Sequence, residues 1–162
     1  MSRRELNGVL TVDPGMEGTG WAYWTLRGAI IPEDTGVLKT TVDRKLTIMR
    51  MLDLSRKFAD VLKRWTPRAV VLEGVSLWSG SKRSQTAAAG GATFKLATLL
   101  GMYMQSCDTH GILAVHVIDP RAWTGNLNEE QMVRRVALAT GESYQRHVAD
   151  AVGIGLAMVG AL

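Results

Sequence analysis

Hydrophobic positions change their period several times along the chain, and each change marks an element. Val9-Leu10-Thr11-Val12 is a short β-favouring run stopped by Asp13-Pro14-Gly15, where proline and glycine turn the chain. Trp21 to Leu26 alternates, with Trp21, Tyr23 and Thr25 on one face and Ala22, Trp24 and Leu26 on the other. Gly28 offers a hairpin turn into Ala29-Ile30-Ile31, and Gly36-Val37-Leu38 can continue that third strand past Pro32. Three strands joined by short turns predict an antiparallel meander. From Asp43 to Trp65 the spacing becomes helical, through Leu46, Met49, Leu52, Phe58, Leu62 and Trp65; Asp43 can cap the start and Pro67 ends it. The other face carries Arg44, Lys45, Arg50, Arg56, Lys57, Lys63 and Arg64, and reads equally well as a solvated face or a phosphate-facing one.

Ala69-Val70-Val71-Leu72 is continuously apolar, the pattern of a strand covered on both faces, and ends in Glu73. A second helix over about Thr86 to Cys107 leads to a fifth strand, Leu113 to Ile118, closed by Asp119-Pro120. Strand, long helix, strand is a right-handed crossover, so these two strands are predicted to be parallel. Asn128 followed by Gln131 resembles a capping box for a helix that Gly141 closes, and a last helix runs from about Ser143 to the end. The order β-β-β-α-β-α-β-α-α predicts an α/β mixed sheet with helices on it, one domain over residues 1–162.

Composition agrees with one buried core: 162 residues, 46% of them hydrophobic. Nineteen Lys and Arg against 15 Asp and Glu give a net charge of +4, which permits a polyanionic partner without demanding one. A single cysteine, Cys107, excludes an internal disulfide framework and a multi-cysteine zinc site, reads as a small core hydrophobe and favours a reducing compartment. The apolar run Ala151 to Leu162 is too short for a membrane span, and Met1 to Gly8 lacks the apolar core of a secretory signal. A soluble, cytoplasmic protein is expected, or one of an organelle matrix if the source is eukaryotic.

Three acids stand where a charge is costly: Asp13, Glu73 and Asp150. Asp13 and Glu73 end strands that become neighbours if the first strand pairs with the first crossover strand, and ligands in such sheets gather at the carboxyl ends of strands. His147 precedes Asp150 by three residues, which puts both on one side of a helix. Two carboxylates on adjacent strands and a His/Asp pair on a facing helix can form one divalent-metal site. Taken singly, Asp13 reads as a turn residue, Glu73 as a solvated strand end, and His147 with Asp150 as an exposed helix pair; their joint placement favours the cation.

Val12-Asp13-Pro14-Gly15, Thr19-Gly20-Trp21-Ala22, Val71-Leu72-Glu73 and His147-Val148-Ala149-Asp150-Ala151 together resemble the motifs of the RuvC-type Holliday-junction resolvases, of the RNase H-like superfamily. The resemblance runs in order over nearly the whole chain. It implies a five-stranded RNase H-like mixed sheet, three antiparallel strands then two parallel, flanked by helices. It also implies a homodimer that cuts symmetric strands of a four-way DNA junction with Mg²⁺ or Mn²⁺, leaving 5′-phosphate and 3′-hydroxyl ends. The family's metal-binding acids fall on Asp13, Glu73 and Asp150, and its fourth position on His147. Many members carry an acid there, and imidazole suits Mn²⁺ better than Mg²⁺.

The stretch Ser76 to Gln85 combines Trp78 with Lys82 and Arg83, an aromatic and two bases that can stack on an opened junction and grip phosphates. The family's wedge aromatic lies closer to the catalytic Glu than Trp78 does. Arg121 and Trp123 resemble a second DNA-facing loop. Ala87-Ala88-Ala89-Gly90-Gly91-Ala92 opens the second long helix with side chains small enough for close backbone approach, at a helix that contributes to the family's dimer interface or, alternatively, lies tight on its own sheet. A branch-migration motor is a candidate partner. The competing readings are an RNase H-like nuclease for forks or flaps and an inactive junction-binding protein; an actin-like ATPase, sharing an Asp-x-Gly turn, needs two such domains and a longer chain.

Overall fold

A computed structural model describes residues 8–25, 30–75 and 91–162. Five strands, β1 (Val9–Asp13), β2 (Thr19–Trp24), β3 (Asp34–Leu38), β4 (Ala69–Glu73) and β5 (Ala114–Ile118), form one sheet in the order β3-β2-β1-β4-β5. β1 and β2, and β2 and β3, pair antiparallel; β1 and β4, and β4 and β5, pair parallel, as the meander and crossover patterns predict. Among the described residues five helices accompany them: α1 (Thr47–Trp65), α2 (Ala92–Thr109), α3 (Pro120–Thr124), α4 (Glu129–Thr140) and α5 (Arg146–Met158). No helix among the described residues is long and apolar enough to cross a membrane.

Strand side chains alternate between two buried faces, which gives three layers. Leu10, Val12, Trp21, Tyr23, Val70 and Leu72 pack under α1 and α2, against Met51, Leu54, Phe58, Leu99, Tyr103 and Cys107. Val9, Ala22, Trp24 and Val71 pack under α3, α4 and α5, against Trp123, Met132, Val136, Val148, Val152 and Ile154. Thr11, fully buried, joins the second face by accepting from Trp24 Nε1 at 2.9 Å and donating to the Ala151 carbonyl at 2.7 Å. The last helix is thereby tied to the central strand.

Several expectations need correction. The third strand begins after Pro32 and does not include Ile30 and Ile31, which are exposed; pairing opens with Glu33 N–H donating to the Tyr23 carbonyl, because proline brings no N–H to a ladder, and Ala29 lies outside the described residues. Asp43 does not cap α1. Its carboxylate accepts from Lys45 N–H in the preceding turn, and Leu46 occupies the cap position without a side-chain bond. The buried stripe of α1 is Met51, Leu54, Phe58, Val61 and Leu62, whereas Leu46 and Met49 are exposed, so the helix is rotated from the predicted phase at its start. Arg50, predicted on the open face, is buried.

The second helix runs from Ala92, with Gly91 at its N-cap at φ 71, a left-handed turn; the predicted start at Thr86 lies outside the described residues. Of the small-residue run, 87–90 lie outside the described residues. The last helix begins at Arg146, three residues later than predicted, after an extended Gln145. α3 was not anticipated, although Asp119-Pro120 carries its signal: the Asp119 carboxylate caps Arg121 N–H at 2.8 Å and Pro120 takes the first helical position. The predicted capping box of α4 is present, with Asn128 and Gln131 bonding reciprocally and Gly141 closing the helix at φ 75.

Candidate active site

Asp13 and Glu73 end parallel neighbours, β1 and β4, and share strand parity with the residues that face α5. Both carboxylates therefore point to the α5 side of the sheet, at its carboxyl edge. α5 brings His147 and Asp150 to the same place. His147 Nδ1 lies 3.2 Å from Asp13 Oδ2, across 134 residues of chain. Glu73 lies within hydrogen-bonding reach of Asp13 and feels the charge of Asp150.

This approach depends on absent side chains. A Cβ on Gly20 would overlap the His147 carbonyl, one on Gly18 would press the His147 ring at 3.1 Å, and one on Gly155 would overlap the Trp24 ring. Gly20→Ala is expected to force α5 off the sheet and to cost about 3 kcal/mol, the upper range for overpacking a tight contact, because backbone cannot rotate away as a side chain can. Urea unfolding measures the cost, and cleavage should fall with it as His147 and Asp150 retreat.

The electrostatics are those of crowded acids. Burial, and then the charge of Asp13, push Glu73 up to about 9, with a hydrogen bond from Trp123 pulling the other way. Burial and Asp13 also push Asp150 up to about 6, against the pull of Arg146 and His147. The hydrogen bond with Asp13 raises the His147 imidazole above its ordinary value, against burial. Such a set resists carrying its full negative charge alone and suits a hard divalent cation, so its donor chemistry fits Mg²⁺ or Mn²⁺. Among the described residues, no group of three His, Cys, Asp or Glu side chains is placed to hold a metal as it stands. The donors converge without forming a closed cage.

A cavity of about 150 Å³ opens beside Glu73 and Asp150, walled by Trp123, Asn128, Glu129 and Arg146. Arg146 Nε spans its edge to Glu129 Oε1 at 3.0 Å, linking the starts of α4 and α5.

No protein-family model matches the chain. The crossover junction endodeoxyribonuclease RuvC of Nitratidesulfovibrio vulgaris is 30% identical over 152 residues, covering 90% of this chain and 75% of that relative. This chain belongs to the RuvC family. Solved structures share the fold: RuvC of Thermus thermophilus at TM-score 0.70, with 21% identity over 92% of this chain and 91% of that one. The same enzyme in complex with Holliday junction substrate aligns at 0.68, with 21% identity over 92% of this chain and 90% of that one. The yeast mitochondrial Holliday junction resolvase Ydc2 aligns at 0.62, with 14% identity over 97% and 78%.

Of the predicted site residues in this RuvC-family chain, Asp13, Glu73, His147 and Asp150 come together as described. Arg121 sits on α3 and is exposed; Trp78, Lys82 and Arg83 lie outside the described residues. Trp123 was read only as part of a second DNA-facing loop. It is instead buried beneath α5 and bonded to Glu73. Of the two remaining histidines, His110 bonds the Ser106 carbonyl at 2.7 Å, whereas His116 is exposed on the edge strand β5.

Proposed function

We propose that this RuvC-family chain is a divalent-metal-dependent endonuclease that resolves four-way DNA junctions by paired, symmetric nicks. The observation that carries the reading is the convergence of Asp13, Glu73, His147 and Asp150 at one edge of an RNase H-like sheet, in a chain 30% identical to a crossover junction endodeoxyribonuclease. Asp13, Glu73 and Asp150 would hold Mg²⁺ or Mn²⁺, and Glu73 and Asp150, whose carboxyls burial pushes up, would give up their protons as they do so. A metal held there would supply an activated water for attack on phosphorus and a counter-charge for the departing 3′ oxygen, so that breaking the P–O3′ bond leaves 5′-phosphate and 3′-hydroxyl ends. His147, held at Nδ1 by Asp13, presents Nε2 either as a further ligand or as the group that orients the water. Arg121, with Trp78, Lys82 and Arg83, grips the branched DNA.

Two symmetric cuts require two sites, and a homodimer supplies them. Phe94 and Met104, 76% and 43% exposed on α2, support that helix as the dimer surface. A branch-migration motor is a candidate further partner.

The test incubates the protein with a labelled four-way junction and a duplex of the same sequence, in EDTA, Mg²⁺ or Mn²⁺. Paired, metal-dependent nicks in the junction alone are expected, and Asp13→Asn should lose them while still binding the junction. Binding without cleavage in any metal would make this a junction-binding protein, and preferential cutting of forks or flaps would reassign the substrate.

A further inference from the structure

We propose that Trp123 is a positioning residue of the site: its indole N–H fixes one oxygen of Glu73 and leaves the other facing the metal. The inference rests on the metal-site reading above. Trp123 Nε1 donates to Glu73 Oε1 at 2.9 Å, from α3 to the end of β4 across 50 residues. The indole is itself immobile. It is 8% exposed and packs on Gly153 of α5, where a Cβ would stand 2.5 Å from its Cζ3, and it sits on a short helix pinned by the Asp119 cap. One side chain therefore sets β4, α3 and α5 against each other at the metal-binding edge.

The chemistry of the donor suits this task. An indole N–H only donates, so it cannot turn round and compete for the metal as an amide oxygen or imidazole nitrogen could. It is neutral, so it adds no positive charge to repel the cation, as Lys or Arg at this position would. With Oε1 taken, the second oxygen of Glu73 is the one free of the indole, and less side-chain freedom remains to be lost when metal binds. Partners of this kind typically govern metal affinity by 10–100-fold.

The test is Mn²⁺ binding to the full chain, read as loss of the free-ion EPR signal, together with the indole ¹H–¹⁵N resonance of Trp123 during Mg²⁺ titration. Trp123→Phe keeps a ring against Gly153 and removes the N–H. It is expected to weaken Mn²⁺ binding about tenfold or more, and to have no further effect in a Glu73→Gln background. In the wild type the Trp123 resonance should shift with metal, a readout that stands even if Trp123→Phe fails to fold. Equal Mn²⁺ binding by Trp123→Phe and wild type, or a Trp123 resonance indifferent to metal that does bind, would overturn the inference and leave the metal site standing. A wild type that binds no Mn²⁺ would overturn the site and the inference together.

Discussion

Glu73→Gln is expected to abolish junction cleavage and, without metal, to raise the melting temperature at pH 8. The two effects have one cause. Burial and the charge of Asp13 hold the Glu73 carboxyl up near 9, far above its ordinary value of 4.5. A carboxyl whose folded pKa is raised contributes stability that is complete below its unfolded pKa, about 4.5, and is lost as pH rises through the folded value. The metal-free wild type should therefore melt at progressively lower temperature from pH 5 to pH 9. Asp150, pushed up to about 6, adds to the early part of that fall. Glutamine keeps the shape, cannot ionise and removes the later part.

At roughly 3 °C per kcal/mol for a chain of this size, Glu73→Gln should melt about 5 °C or more above wild type at pH 8 in EDTA. Excess Mn²⁺ should reverse the order, because binding selects the ionised carboxylate and displaces its proton. Cleavage should fall at least about a thousandfold, equivalent to about 4 kcal/mol of transition-state stabilisation. Melting curves at five pH values, with EDTA and with Mn²⁺, read the whole pattern. Parallel pH profiles for variant and wild type in EDTA would remove Glu73 from the set of buried acids.

Arg50→Met should be the most damaging substitution distant from the site. Arg50 is 6% exposed, and its guanidinium donates from Nη1 to the Val42 carbonyl and from Nη2 to the Met16 carbonyl, each at 2.8 Å. Met16 follows Asp13 by three residues, so Arg50 fastens the far end of the turn that carries Asp13. Methionine fills a similar volume and leaves both carbonyls without their charged donor. A loss of about 3 kcal/mol is expected from two such bonds, seen as a lower urea midpoint at unchanged slope. Arg50→Lys should recover only part of it, because one ammonium on a flexible stem cannot reach two carbonyls as a planar fork does. Cleavage should fall further than the stability loss alone explains, since the turn under Asp13 loosens.

What could be read from the residues, and what could not, follows the range of the interactions. β1 and β4 announce themselves because their apolar runs end abruptly at Asp13 and Glu73, and the Asn128 box because all its members lie within one turn. The phase of α1 was misread because two apolar stripes compete there. Leu46 and Met49 keep helical spacing as well as Met51 and Leu54 do, and only the packing against the sheet decides between them. Arg50 falls in the sequence on the face opposite the apolar stripe, solvated or phosphate-facing, because charge is ordinarily exposed. Its buried partners are backbone carbonyls, which leave no trace in composition. Asp13, Glu73, His147 and Asp150 were found through motif spacing, yet the Asp13–His147 contact and the Trp123 bond to Glu73 join positions 134 and 50 residues apart, beyond any local pattern.

That separation has a consequence for the chain as it is made. Asp13 is synthesised before every helix, while α5, which presents His147 and Asp150, is contiguous only once residue 158 is joined. At typical rates of synthesis roughly ten seconds pass between the two. Once β4 is made, and until α5 docks, Asp13 and Glu73 stand without their helical counterparts, so a site built as proposed is complete only after the β-sheet and α5 have come together.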